Sequence, residues 1–170
     1  MCAFFNFREK NDPMKRIGFL LVAAMVLAGS AARGQGLSIF ADQSYEPVLQ
    51  ELVKQFSDQT GFAVQLSLGR AAILAERLRD GTPADVFFPA NEEQMNQVME
   101  KGLVDVSLKR NVLVLPPTEP VEEGIVPEPQ YVPAAVLANS TNRVQAMAFL
   151  EFLVSEPARA AFGQQGFTLP

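Results

Sequence analysis

The sequence predicts an α/β fold, with an open and mostly parallel β-sheet that carries helices on both faces. Short β-rich runs alternate with amphipathic helical stretches between residues 37 and 115, in the order β-α-β-α-β-α-β. Hydrophobic residues make up 48% and charged residues 19% of the chain, which is typical of a globular protein. A length of 170 residues suits one ordinary domain rather than two.

The first strand and the first helix form the first repeating unit. Leu37–Ala41 is a short apolar run that predicts a strand. A helix is expected from about Tyr45 to Gln59, and Thr60-Gly61 ends it. Apolar side chains at helical spacing give this helix one buried face: Val48, Leu49, Leu52, Val53 and Phe56.

Two further units follow in the same pattern. The second strand is predicted over Phe62–Leu68, the second helix over Ala71–Arg79 and the third strand over Asp85–Phe88. Between the second helix and the third strand, the cluster Asp80-Gly81-Thr82-Pro83 predicts a turn.

The third helix and the fourth strand complete this run of elements. Asn91 is a candidate N-cap for a helix over Glu92–Lys101, and Gly102 is its expected stop. A fourth strand is predicted at Val112–Leu115.

The pattern changes after residue 115. Residues 116–133 contain six of the 12 prolines and four glutamates, so we expect an irregular connection there. Tyr131–Leu137 has strand character past Pro133. Ser140-Thr141-Asn142 should cap a helix over Arg143–Val154, and a last helix starts at Ser155-Glu156-Pro157 and stops at Gly166.

Composition excludes several classes of function. The net charge of -5 argues against nucleic acid or an anionic membrane as partner. Histidine is absent and Cys2 is the single cysteine, which removes Ser-His-Asp and Cys-His catalysis and most zinc sites. We therefore predict no enzyme activity, no catalytic residues, no cofactor and no bound metal cation. Glu119, Glu122, Glu123 and Glu128 are read as a solvated acidic loop rather than a cation site.

Residues 14–32 have the order of a secretory signal peptide. Met14-Lys15-Arg16 is a basic start, an apolar run follows, and small residues end at Ala32, where we place cleavage, with Gly34 as an alternative. The apolar run is too short for a membrane anchor, which needs about 20 residues. Residues 1–13 are read as a spurious extension. The mature protein is thus expected to be soluble in the periplasm or another extracytoplasmic space.

Three collinear stretches resemble the periplasmic molybdate-binding proteins of ABC transporters. Phe40-Ala41-Asp42-Gln43-Ser44 is similar to the family's strand-loop-serine opening. Gly81-Thr82-Pro83-Ala84-Asp85-Val86-Phe87 resembles its G-x-P-A-D-V-F turn. The third stretch, Tyr131–Val136 with Ala148–Leu153 and Gly166-Phe167, resembles its closing strand and helices.

The resemblance implies a type II periplasmic-binding-protein fold, in which two lobes grip a small oxyanion. Here only one lobe is expected. Residues 33–115 would form its core, 116–133 would replace the second lobe, and 134–170 would return to the first lobe. The implied partners are a molybdate or tungstate oxyanion and the membrane permease of an ABC importer.

The same resemblance names the candidate ligand residues. Ser44 matches the family's first ligand serine, although a plain helix N-cap is the alternative. The second ligand serine falls at Ala71, which keeps only its backbone N–H as a donor. Arg70 either pairs with the anion, pairs with Asp42, or is a surface charge.

Two aspartates near these positions need an interpretation of their own. Asp42 either opposes the anion or is a solvated loop residue, and exposure statistics favour the solvated loop. Asp85 is interpreted as a structural residue that ties the turn after Pro83.

The predicted function is the solute-binding component of an oxyanion importer, weakened by the missing lobe. The alternative is a degenerate single-lobe interaction module with no transport role.

Overall fold

The computed structural model describes residues 36–116 and 128–170, which form one five-stranded sheet with helices on both faces. The signal peptide predicted at 14–32, the extension 1–13 and most of the connection 116–133 lie outside the described residues. The strands are β1 Leu37–Asp42, β2 Val64–Gly69, β3 Val86–Phe88, β4 Val104–Leu115 and β5 Gln130–Leu137.

The described residues also form five α-helices. Asn91 caps the third of them as predicted, because its side-chain oxygen accepts the Gln94 N–H at 3.0 Å. Gly102 stops it with a positive φ of 67°. The helices are α1 Glu46–Thr60, α2 Ala71–Arg79, α3 Glu92–Met99, α4 Arg143–Leu153 and α5 Glu156–Gln164.

The strand order is β2-β1-β3-β5-β4. β1 pairs in parallel with β2 and β3, whereas β5 runs antiparallel to both β3 and β4. Four strands therefore point one way and β5 points the other. This confirms the predicted mostly parallel sheet, with the returning strand as its one opposed member.

The core has two layers, one on each face of the sheet. On one face α1, α4 and α5 pack on the strands through side chains such as Leu52 and Phe149. On the other face α2 and α3 do so through side chains such as Leu74 and Met95. The expected helices on both faces are thus confirmed.

β4 and β5 differ from their predicted limits. β4 begins at Val104, eight residues before the predicted start at Val112. β5 begins at Gln130, so the connection is regular before residue 133, where it was expected to be irregular. Pro133 fits inside β5 because its partner is Asn111, beside a shift in register, where a missing N–H is tolerated.

No helix in the described part of the chain combines the length and the apolar character that crossing a bilayer requires.

Candidate oxyanion site

The candidate site lies at the carboxyl edge of the sheet, where β1 ends. In the register of the sheet Asp42 stands beside Gly69 at the end of β2, and Ala41 stands beside Phe88 at the end of β3. The chain leaves β1 for β2 on one side and reaches β3 on the other. Such a reversal of strand order opens a crevice above the strand ends, which is where α/β sheets bind ligands.

Asp42 and Ser44 form the first half of the site. A short 3-10 turn, Gln43–Tyr45, joins β1 to α1, and Asp42 is its N-cap. One carboxylate oxygen of Asp42, Oδ1, accepts the Ser44 N–H at 2.9 Å and the Ser44 hydroxyl at 2.7 Å. Ser44 itself is exposed.

Ala71 completes the site from a different part of the chain. It is the first residue of α2, and its N–H donates to the second oxygen of Asp42, Oδ2, at 2.8 Å. The first N–H groups of a helix lack partners within the helix and carry partial positive charge. The Asp42 carboxylate is therefore held by donors from two helical segments on opposite faces of the sheet.

This geometry corrects two interpretations of the sequence. Asp42 is only 6% exposed, so the solvated-loop reading was wrong. It caps the turn itself, so the reading of Ser44 as a plain N-cap was wrong as well. Exposure statistics failed for Asp42 because a backbone donor 29 residues further along the chain satisfies its charge.

Among the described residues, the Arg70 side chain forms no ion pair. It is the N-cap of α2, its side chain is exposed, and Asp42 takes its hydrogen bonds from Ser44 and Ala71 instead. The interpretation of Arg70 as the partner of Asp42 was therefore wrong. Its interpretation as an anion ligand stays a prediction.

Tyr45 supports this edge of the sheet, and the sequence reasoning did not single it out. Its side chain is buried, its ring stacks on Phe88 with centroids 4.8 Å apart, and its hydroxyl donates to the Ala90 carbonyl at 2.9 Å. Burial raises the pKa of Tyr45 well above its usual range, and the nearby charge of Asp42 adds to this effect. An aromatic residue directly after a candidate ligand serine was the available signal.

Asp85 is structural, but it acts at the opposite edge of the sheet. Its buried carboxylate accepts the Ser38 N–H at 2.8 Å, the Ser140 hydroxyl at 2.7 Å and the Asn142 side-chain amide at 3.1 Å. It therefore ties β1 to the segment before α4, rather than tying its own turn. Residues 140–142 were predicted to cap α4, but the Asn142 side chain makes no capping hydrogen bond to that helix. Ser140 and Asn142 donate to Asp85 instead.

Open grooves lie elsewhere on the surface of the described residues. One, of about 390 Å³, runs between α2 and α3, and another, of about 370 Å³, lies beside Asp85. Neither is lined by Asp42, Ser44 or Ala71. Within residues 36–116 and 128–170, no group of three or more acidic, cysteine or histidine residues is placed to hold a metal ion.

Comparison with known families decides the affiliation of the chain. The model of the family described as bacterial extracellular solute-binding protein matches residues 37–122 and 111–168, which include every strand and helix described above. The chain belongs to this family. The family is one of binding proteins rather than enzymes.

Similarity to individual proteins confirms the resemblance found in the sequence. The molybdate-binding protein ModA of Escherichia coli (strain K12) is 28% identical over 91 residues, which are 53% of this chain and 35% of that protein. The chain thus matches about a third of the length of this curated relative.

Solved structures share the fold at low sequence identity. The substrate binding domain of a putative molybdenum ABC transporter from Clostridium difficile has a TM-score of 0.69 at 14% identity, covering 79% of this chain and 99% of that chain. Iron-bound HitA from Pseudomonas aeruginosa has a TM-score of 0.62 at 15% identity, covering 76% of this chain and 84% of that chain. Since the second protein binds iron, the shared fold does not by itself select a solute.

Proposed function

We propose that this chain is the exported solute-binding component of an ABC importer for molybdate, tungstate or a similar oxyanion, and that it binds this solute weakly. One observation carries the proposal. The Ser44 N–H, the Ser44 hydroxyl and the Ala71 N–H converge on one anionic group at the strand-order reversal of the sheet. These are the donors that the resemblance to molybdate-binding proteins names.

Such a site needs no positive side chain. A tetrahedral dianion is held by N–H groups at helix N-termini and by hydroxyl groups, which point their hydrogens at its oxygens. The position also matches the place where ligands bind to open α/β sheets. The similarity to the Escherichia coli molybdate-binding protein supports molybdate as the solute.

Three features make the binding weak. A single lobe presents an open face, where water competes for each donor, whereas a closed cleft excludes it. Ala71 lacks the hydroxyl that a serine would add, and one hydrogen bond to a charged ligand contributes about 1.5–3 kcal/mol. The net charge of -5 also repels anions at long range. We therefore expect a dissociation constant of about 1 mM or higher, equivalent to about 4 kcal/mol.

Export and the permease partner belong to the same proposal. The order of basic, apolar and small residues over 14–32 supports export, and the family to which the chain belongs is extracellular by description. The ABC transporter named for the Clostridium difficile domain supports a membrane permease as partner.

A second candidate function is a single-lobe interaction module without a transport role. The hydrogen bonds of Asp42 favour it, because they already use the donors that an oxyanion needs. In this case the chain would keep the fold of the family without its solute.

Isothermal titration with molybdate, tungstate and sulfate separates the two candidates. We expect millimolar binding of molybdate and tungstate, reduced or lost in Ser44→Ala. Ser107→Ala is the matched control, because Ser107 makes the same two hydrogen bonds to Asp105 away from the site. If no binding is detected at molybdate concentrations well above 1 mM, the result would favour the interaction module. A submicromolar constant would contradict weak binding and require a second subunit to complete the cleft.

A further inference from the structure

The Asp42 carboxylate occupies the position at which the proposed function places an oxyanion. It is 6% exposed, and it is one of two charged side chains that are buried in the described part of the chain. Its two oxygens accept three hydrogen bonds of 2.7–2.9 Å, from Ser44 N–H, Ser44 Oγ–H and Ala71 N–H. These distances are those of charge-assisted hydrogen bonds.

Each of these donors has one hydrogen to give. A backbone N–H carries a single proton, and so does a serine hydroxyl. While all three protons point at Asp42, a solute oxyanion in the same place has none of them. It would also stand next to a negative charge. The solute and the Asp42 carboxylate therefore compete for one set of donors.

A second Asp-x-Ser pair in the chain shows which part of this arrangement is ordinary. Asp105 accepts both the N–H and the hydroxyl of Ser107, as Asp42 does from Ser44. Such local hydrogen bonds are common where aspartate and serine flank a turn. Asp105, however, is only partly buried, and its other oxygen pairs with Arg143 at the surface.

The contact with Ala71 is what sets Asp42 apart. It joins the end of β1 to the first N–H of α2, at the point where the strand order reverses. A turn-forming aspartate needs only the local bonds. The distant donor places the Asp42 carboxylate between the 3-10 turn and the N-terminus of α2.

We propose that Asp42 is a built-in anion that sets the affinity of this site, by occupying the donors until a solute displaces it. This inference rests on the proposed function, because it assumes that the same donors serve the solute. It predicts that the chain without this carboxylate is the better oxyanion binder.

The test is Asp42→Ala in protein produced from the full chain, titrated with sodium molybdate and, separately, with sodium formate. Formate carries the same carboxylate group as the side chain that was removed. We expect Asp42→Ala to bind molybdate at least about tenfold more tightly than the unaltered protein, as restoring one charge-assisted hydrogen bond would give. Formate should raise the melting temperature of Asp42→Ala and leave that of the unaltered protein unchanged.

Asp105→Ala is the matched control. It makes the same change in net charge and removes the acceptor of the same local pair of hydrogen bonds, but it releases no N–H of α2. It also removes the surface ion pair with Arg143, which lies away from the site. Its affinity for molybdate should equal that of the unaltered protein. An equal gain in Asp105→Ala would assign the effect to net charge and overturn the inference.

The outcomes separate this inference from the proposed function. If unaltered protein binds molybdate as tightly as Asp42→Ala, the inference fails and the proposed function stands. If Asp42→Ala binds formate but not molybdate, the donors hold the Asp42 carboxylate as inferred, but the proposed oxyanion function fails. If Asp42→Ala takes neither, the inference is overturned.

Asp42→Asn covers the case in which Asp42→Ala does not fold. It keeps the size of the side chain, but it removes the charge and replaces one acceptor oxygen with an N–H₂ donor. With the charge gone and fewer donors occupied, Asp42→Asn should bind molybdate more tightly than unaltered protein. An affinity equal to that of unaltered protein would overturn the inference.

Discussion

Asp85→Ala is expected to be among the more destabilising single changes to a polar side chain in this protein. The carboxylate is 4% exposed and accepts the Ser38 N–H, the Ser140 hydroxyl, and both the N–H and the side-chain amide of Asn142. It thereby links β1 to the segment that leads into α4. These contacts span 47 to 57 residues, so no local rearrangement replaces them.

The magnitude follows from which donors can find another partner. The Ser140 hydroxyl and the Asn142 amide are partly exposed and can turn toward water. The Ser38 N–H cannot turn, because it belongs to β1, and its loss of a charged acceptor costs about 1.5–3 kcal/mol. Adding the weakened side-chain contacts, we expect Asp85→Ala to lower the free energy of unfolding by about 3 kcal/mol. Asp85→Asn keeps the side-chain volume and one acceptor oxygen, so this variant should lower the free energy of unfolding by less.

Urea denaturation followed by circular dichroism measures this change. The midpoint should fall while the dependence on urea concentration stays the same, because the exposed surface on unfolding does not change. Asp58→Ala is the control, since Asp58 is exposed and pairs with Lys54 at the surface, and its effect should stay within about 0.5 kcal/mol. A loss of less than about 1 kcal/mol in Asp85→Ala would refute the reasoning.

Three further predictions concern other parts of the chain. In the folded protein the raised pKa of Tyr45 keeps its hydroxyl protonated, whereas in the unfolded chain the same hydroxyl ionises near its usual pKa of 10.0. The contribution of this hydroxyl to stability is therefore complete below pH 10 and is lost as the pH rises above it. The stability advantage over Tyr45→Phe, from urea denaturation, should therefore shrink by about 1.4 kcal/mol between pH 8 and pH 11, and a constant difference would contradict this. Phe149→Ala removes a fully buried ring that packs edge-on against Phe56 at 5.2 Å, and calorimetry should show a loss of about 3–5 kcal/mol. Mass spectrometry of exported protein should find an N-terminus near Arg33, and a chain that still begins at Met1 would contradict cleavage.

The helices were the most predictable part of the fold, because their signals are local. α2 has the bounds predicted from its apolar spacing, Ala71–Arg79, and Asn91 caps α3 as its side chain suggested. Each signal lies within one or two turns of the element that it defines. Packing had little left to decide at these positions.

The start of β4 was missed although the sequence carried a signal. Val104, Val106 and Leu108 alternate with polar residues, which is the pattern of a strand with one exposed side. A shift in register between Val104 and Lys109 interrupts the ladder with β5 there, and Val106 is exposed. The alternating apolar residues of this part of β4 therefore do not all face the core. Whether such a weakly patterned segment forms a strand depends on its pairing with the partner strand.

The candidate site was half predictable for a similar reason. The resemblance to molybdate-binding proteins named Ser44 and Ala71 as candidate donors, and the structure brings both to one carboxylate. The identity of that carboxylate was beyond local reasoning, because the burial of Asp42 depends on a helix that starts 29 residues later. Composition gives the average exposure of an aspartate, and only the tertiary contact gives its actual environment.

The proposed role of Asp42 would also link the stability of this lobe to its affinity for solute. The buried N–H group of Ala71 needs an acceptor at the end of the sheet, because a buried donor without one is destabilising. In a protein that encloses its oxyanion, the solute is that acceptor, so stability rises with solute concentration. If Asp42 fills this role until a solute displaces it, as we propose, the stability of the protein depends less on solute, and the same hydrogen bonds lower the affinity for the solute. The loss of stability in Asp42→Ala and its gain in affinity should therefore arise from one interaction, and molybdate should restore in the variant what the carboxylate provided.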